Sequence, residues 1–339
     1  MEMVAFDFYP CVSNPKSLRH FALATEANYT PPTIGEIMLS PNAMIASWVF
    51  ISLTSIGFAQ DATQQAGQVV NKKNYPPVMS GCKQRTYKST GDTKLDLYIF
   101  SPDSPTNAPA IIFFFGGGWQ NGTPQQFEYQ CRELSKRGMV AITADYRVAS
   151  RHSVKPTACV EDARSAVRWI RQHAMELGVD PLRIAAAGGS AGGHIAACSA
   201  FIGRFDQPSE DREISATPNA LVLFNPALVL APIDGFDATG FGTRVPEDRL
   251  GTQPINISPA HHVAREAPPT IIFHGKQDTT VPFDSAVAFS KIMNQLGNRC
   301  ELKAYDGQKH GFFNNEPFKR ETLDQTDAFL VSLGWLKPK

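Results

Sequence analysis

The chain lacks a surplus of charge of either sign: Lys+Arg and Asp+Glu both number 32, for a formal net charge of zero. This excludes the basic footprint of a nucleic-acid binder, and no acidic tail is present. Internal repeats and heptads are absent. The glycine-rich stretches match neither Gly-x-Gly-x-x-Gly nor a P-loop, so nucleotide binding is not expected. The six cysteines include no pair with metal-ligand spacing, and neither do the histidines. No apolar run reaches the roughly 20 residues of a membrane helix, so no stable span is expected.

What is present suits an ordinary globular protein. The 339 residues are 42% hydrophobic with 25 glycines, enough to bury one large α/β core. Residues 1–80 differ from the rest. The apolar stretch 44–58 (MIASWVFISLTSIGF) is followed by Ala59-Gln60-Asp61 and a polar run to Asn74. Its length suits a signal-peptide core, with Gly57 and Ala59 placed for cleavage after Ala59. No Lys or Arg lies between Arg19 and Lys72. A start at Met38 or Met44 would leave only the terminal amine to supply the charge, and residues 1–37 would then be an over-extended start. The expectation is export, periplasmic or secreted, with 60–80 as a polar linker and 81–339 as the single domain. An N-terminal anchor or a disordered tail is the competing reading. Beyond Ala59 five cysteines remain, which leaves room for one disulfide and at least one free thiol. Cys198 is expected in the core.

The rest alternates strand and helix. Gln84–Thr90 and Lys94–Phe100 predict a hairpin about Gly91-Asp92. Pro109–Phe115, Met139–Ala144, Ile184–Ala187, Ala220–Phe224, Thr270–Phe273 and Glu301–Tyr305 predict further strands, most of them buried on both faces. Helices are expected over 124–137, 157–177, 192–201, 285–296 and 321–333. Residues 225–268, rich in Pro, Gly and Asp, predict a long loop, a candidate lid. The pattern implies an α/β fold with a mostly parallel central sheet, an antiparallel N-terminal hairpin and helices on both faces.

One stretch points to chemistry. Gly188-Gly189-Ser190-Ala191-Gly192-Gly193 lies between a small-residue strand and an alanine-rich helix, the form of a nucleophile elbow. A serine nucleophile needs a histidine to take its proton and a carboxylate to orient that histidine. In such sheets both come from loops at the carboxyl ends of strands. Asp278 follows the 270–273 strand closely, whereas Asp234, Asp237, Glu247 and Asp248 lie in the irregular segment. Asp306 is only four residues before the candidate histidine. Among His194, His261, His262, His274 and His310, only His310 lies just past the last strand beside a turn-permitting glycine. His194 and His274 are expected in the core, and His261 and His262 on a loop. Gly116-Gly117-Gly118 after the third strand, together with Ala191, can supply backbone N–H donors for an oxyanion hole.

These residues resemble an α/β-hydrolase of the carboxylesterase type. The order Ser190, Asp278, His310 is that family's order, and Gly116-Gly117-Gly118-Trp119 resembles its HGGGW loop. The stretches GGGWQNGTPQQF, ADYRV, DARSAVRWIR, DPLRIAAAGGSAGGHIAA, FHGKQDTTVPF and KHGFF, within residues 84–335, are most similar to the bifunctional acetylxylan/feruloyl esterases. They are more loosely similar to the hormone-sensitive-lipase-like esterases. Phe115 departs from the pattern, standing where the family has histidine. The resemblance implies acyl transfer without metal or organic cofactor. It places oxyanion donors at Gly117 and Gly118, with Trp119 able to replace one, and puts Trp119 at the substrate. The implied substrate is a small-molecule or carbohydrate-linked ester, such as an acetyl or feruloyl ester of plant polysaccharide. Oligomeric state stays open. A peptidase or amidase, and a catalytically silent binding protein, are the other functions this fold hosts.

Overall fold

In the computed structural model, residues 75–238 and 247–339 are described. They fall within one compact unit, Ser55–Lys339. The expected signal-peptide core at 44–58 and most of the 60–80 linker lie outside the described residues.

Eight strands form one sheet in the order β1-β2-β4-β3-β5-β6-β7-β8. They are β1 (Lys83–Thr90), β2 (Thr93–Phe100), β3 (Ala108–Phe114), β4 (Val140–Ala144), β5 (Val179–Gly189), β6 (Ala220–Phe224), β7 (Thr270–Gly275) and β8 (Cys300–Tyr305). β1 and β2 pair antiparallel, and β2 pairs antiparallel with β4. From β4 to β8 every pairing is parallel. Parallel strands need crossovers, and these supply α1 (Glu128–Lys136), α2 (Pro156–Gln172), α3 (Ala191–Phe201) and α4 (Phe283–Gln295), with α5 (Phe318–Ser332) closing the chain.

The period-two alternation of the strands divides the core. Ile112, Phe114 and Ile142 meet Val160 and Val167 of α2, Ile195 of α3 and Phe289 of α4 on one face. Ile111, Phe113 and Ala141 meet Cys131 of α1 and Phe329 of α5 on the other. The central strands are buried throughout, so their continuous apolar runs follow from cover on both faces.

Several boundaries differ from expectation. β5 starts at Val179 rather than Ile184. The helix expected over 157–177 stops at Gln172, because His173 (φ −100°, ψ 18°) leaves helical geometry. A separate turn, Ala174–Leu177, ends on Gly178 at φ +65°. Parts of the candidate lid segment pack into the core: Leu228, Val229, Leu230, Leu250 and Ile257 are all buried. Its tip, 239–246, lies outside the described residues. Cys82, Cys131, Cys159, Cys198 and Cys300 are all free thiols, so the disulfide left open by the cysteine count does not form among them. Among the described residues no helix is long and apolar enough to cross a membrane.

Candidate active site

β5 runs directly into α3, and Ser190 at the junction adopts φ +54°, ψ −119°. A non-glycine residue reaches such a conformation only where its surroundings over-determine it. Here the Ser190 N–H donates to Phe224 O at 2.8 Å, and Ser190 O accepts from His194 N–H at 2.9 Å. The flanking glycines let α3 approach β3. A Cβ on Gly192 would lie 2.0 Å from Phe114 O. The hydroxyl stands at a helix N-terminus, where unpaired N–H groups favour negative charge.

The loop after β8 brings His310 to this hydroxyl, with Nε2 2.9 Å from Ser190 Oγ. The loop after β7 brings Asp278 to the far side of the ring, with Oδ2 2.7 Å from His310 Nδ1. Asp278 is buried, and its Oδ1 accepts the N–H groups of Thr280 at 2.9 Å and Val281 at 2.8 Å. Burial pushes this carboxyl up. Hydrogen bonds from His274, His310 and the Val281 N–H outweigh it and hold the pKa at about 2. The group is therefore an anion at any ordinary pH. Asp306 points elsewhere and pairs with Lys276 at 2.7 Å.

The loop after β3 turns through Gly117 (φ +123°), Gly118 (φ +61°) and Trp119 (φ +61°). At Gly117 a side chain is impossible, since its Cβ would lie 2.3 Å from Asn121 O. The carbonyls of this loop are taken up by the protein. Gly117 O accepts from Gln120 N–H at 3.0 Å, and Gly118 O from Arg249 Nη2 at 3.1 Å. Among the described residues the N–H groups of Gly117, Gly118 and Ala191 meet no acceptor.

Two expected positions take a more specific form. The Trp119 side chain, expected at the substrate, is only 4% exposed. Its indole N–H donates to His194 Nδ1 at 3.2 Å. Through His194, Trp119 ties this loop to the elbow helix α3. His274 is buried as expected but incompletely satisfied. Its Nε2 lies 3.0 Å from Val281 O and 3.3 Å from Asp278 Oδ2, while Nδ1 has no partner among the described residues. His261 is engaged locally, with Nδ1 2.9 Å from Ser258 Oγ and Nε2 3.1 Å from Pro232 O.

Three polar side chains that no catalytic role singled out complete the surroundings. Asn225, buried at φ +44°, follows β6 directly, and its Oδ1 accepts the Gly311 N–H at 3.1 Å. Gln126 Oε1 accepts the Gly116 N–H at 2.6 Å, and Gln126 Nε2 donates to Asn314 at 3.1 Å. For Asn225 the readable signal is its place between a buried strand and Pro226. Gln126 lies within the GGGWQNGTPQQF stretch, and Asn314 carries no such signal. Among the described residues no three His, Cys, Asp or Glu side chains form a group able to hold a metal ion.

Comparison with known proteins gives the same family from several directions. Residues 95–293 match the BD-FAE family, and residues 251–338 match the dienelactone hydrolase family. Thermogutta terrifontis esterase 2 is 49% identical, over 78% of this chain and 97% of that one, with a TM-score of 0.74. That esterase has been solved with propionate bound, with butyrate bound and phosphorylated by paraoxon. Carboxylesterase NlhH of Mycobacterium tuberculosis is 27% identical over 68% of this chain and 75% of its own length. A probable isoprenylcysteine alpha-carbonyl methylesterase of Arabidopsis thaliana is 28% identical over 71% of this chain. The match spans only 53% of that methylesterase, about half its length. The chain belongs to the BD-FAE family and is an α/β-hydrolase carboxylesterase of the hormone-sensitive-lipase-like type.

Proposed function

We propose that this carboxylesterase hydrolyses short-chain acyl esters through an acyl-enzyme on Ser190. The observation that carries the reading is His310 lying between Ser190 Oγ at 2.9 Å and Asp278 Oδ2 at 2.7 Å. Ser190 Oγ attacks the ester carbonyl as His310 Nε2 takes its proton, and Asp278 stabilises the imidazolium that forms. The tetrahedral oxyanion is met by the N–H groups of Gly117, Gly118 and Ala191. The C–O bond to the alcohol then breaks, with His310 returning the proton to the leaving oxygen. Water, deprotonated by the same histidine, attacks the acyl-enzyme; the acyl–Oγ bond then breaks, Ser190 Oγ takes the proton back from His310, and the acid leaves.

The propionate and butyrate complexes of the Thermogutta esterase support a short acyl group, and its reaction with paraoxon supports a nucleophilic serine. The BD-FAE match makes acetyl and feruloyl esters of polysaccharide the natural substrates to try. The test is p-nitrophenyl acetate turnover by wild type and Ser190→Ala. Loss of turnover is expected, and turnover that survives sinks the nucleophile. A p-nitrophenyl chain-length series beside acetylated xylan and methyl ferulate then sets the acyl class. A short ester compared with the matching anilide separates esterase from amidase. Export is proposed with it, on the signal-peptide form of residues 44–59. N-terminal sequencing of the mature protein should begin at Gln60, and retention of 44–58 overturns it.

A further inference from the structure

Gln126 and Asn314 are 188 residues apart, yet Gln126 Nε2 donates to Asn314 Oδ1 at 3.1 Å. Each amide ends on a fixed backbone group. Gln126 Oε1 accepts the Gly116 N–H at 2.6 Å. Asn314 Nδ2 donates to Gly311 O at 3.0 Å, beside the N–H of Asn314 itself, also at 3.0 Å. A backbone N–H only donates and a carbonyl only accepts. Neither amide can therefore be reversed without setting donor against donor or acceptor against acceptor. The run has one direction: Gly116 N–H, Gln126, Asn314, Gly311 C=O. Gly311 N–H carries it on to Asn225 Oδ1 at 3.1 Å.

Both ends abut the reacting groups. The Phe115–Gly116 peptide is held from two sides, its carbonyl by the Tyr146 hydroxyl at 2.7 Å and its N–H by Gln126. It cannot flip, so Gly117 and Gly118 start from a fixed plane. A Cβ on Gly116 would lie 3.5 Å from Ser190 Cβ and 3.6 Å from Gln126 Oε1, which puts the amide close beside the nucleophile. At the other end Gly311 directly follows His310. Beneath the amides the next residues repeat the contact in apolar form: the Phe127 and Phe313 rings stack at 6.0 Å and 10°. Both rings are buried, so the two segments stay docked without the amide pair.

We propose that Gln126 and Asn314 are positioning residues that hold the oxyanion loop and the His310 loop in one register. The N–H donors and the general base then meet the same tetrahedral intermediate. This rests on the triad reading above. The test uses Gln126→Met and Asn314→Leu, singly and combined, with p-nitrophenyl butyrate turnover counted per site titrated by paraoxon. Each single variant is expected to lose about tenfold in kcat with KM within twofold, because the interaction matters in the transition state. The double variant should lose about the same tenfold, since residues acting as one unit are not additive. Affinity for a trifluoromethyl ketone, which mimics the tetrahedral state, should fall in step with kcat/KM. A purely structural role would lower Tm and leave per-site kcat and ketone affinity unmoved. Should Gln126→Met fail to fold, the exposed Asn314→Leu carries the same comparison. Per-site kcat within twofold of wild type in the single variants overturns the proposal, and a hundredfold loss in the double variant overturns the coupling. Turnover by Ser190→Ala, run beside them, marks a failure of the triad reading itself.

Discussion

The Trp119 indole N–H donates to His194 Nδ1 at 3.2 Å, and the opposite ring nitrogen of His194 lies 2.6 Å from Ile257 O. The two partners settle the ring as neutral, accepting at Nδ1 and donating at Nε2. One imidazole thus joins the glycine loop after β3, the elbow helix α3 and the short turn Pro254–Ile257. Burial pushes its pKa down to about 4 from the ordinary 6.5. Folded protein therefore resists a proton that the unfolded chain takes up. The contribution to stability is full above pH 6.5 and is lost as pH falls towards 4, at a slope of at most about 1.4 kcal/mol per pH unit. Asp145, raised to about 6 by burial, works in the opposite sense over part of that range, but equally in wild type and variant. His194→Gln keeps a donor and an acceptor without the titration. Urea unfolding between pH 7 and pH 4.5 should show a shallower acid loss in His194→Gln, and parallel profiles would defeat this assignment.

Asp278→Asn should lower kcat by about 10²–10⁴ with little change in KM. The amide would either present a donor to His310 Nδ1, which favours the wrong imidazole tautomer, or keep its oxygen on His310 and set a donor against the N–H groups of Thr280 and Val281. His274→Leu removes one of several donors to the same carboxylate and should cost much less, within about tenfold. Steady-state kinetics on both variants checks the ranking, and equal losses would show His274 in a role beyond support of Asp278.

The parts of the fold that sequence made legible are those in which local pattern and tertiary environment agree. The unbroken apolar runs of β3, β4 and β6 read as strands because both faces are covered. Ser190 read as a nucleophile site because only glycines allow α3 so near Phe114. Asp278 and His310 were legible as residues just past β7 and β8. The roles of Asn225, Asn314 and Gln126, the last inside the quoted GGGWQNGTPQQF stretch, were not, because a side-chain amide acts through partners distant in the chain and leaves no local period. The partner of Trp119 was hidden for a related reason: the loop motif says nothing of His194, 75 residues away. The break at His173 escaped notice because the apolar stripe of α2 continues past it.

Gly192→Ala should be severely destabilising. The added methyl would sit 2.0 Å from Phe114 O and 2.4 Å from Phe115 O, both parts of a buried strand and the loop it feeds. Relief requires α3 to lift from β3, which displaces Ser190 and costs on the order of 4 kcal/mol or more. Gly203→Ala, with nothing within 4 Å of its Cβ, should change stability by no more than about 0.5 kcal/mol. Soluble yield and Tm of the pair check this, and a well-folded, fully active Gly192→Ala would refute the close approach.

Phe115→His would complete the HGGGW pattern that this loop resembles, and here it should do harm. The Phe115 ring is fully buried and stacks on Tyr146 at 4.1 Å and 19°, while the Arg151 guanidinium lies 5.9 Å from its centre. The Tyr146 hydroxyl is already committed to the Phe115 carbonyl at 2.7 Å. An imidazole in this place gains a desolvated polar edge, and the nearby cation opposes its protonation. A loss of about 1–3 kcal/mol in stability is expected. Turnover per titrated site should change little, because the backbone bonds that shape the loop run through the Phe115 carbonyl and the Gly116 N–H, not through the ring. Thermal melts and per-site kcat of Phe115→His separate the two effects. A variant as stable as wild type with raised kcat would mean that the ring at 115 takes part in setting the oxyanion donors.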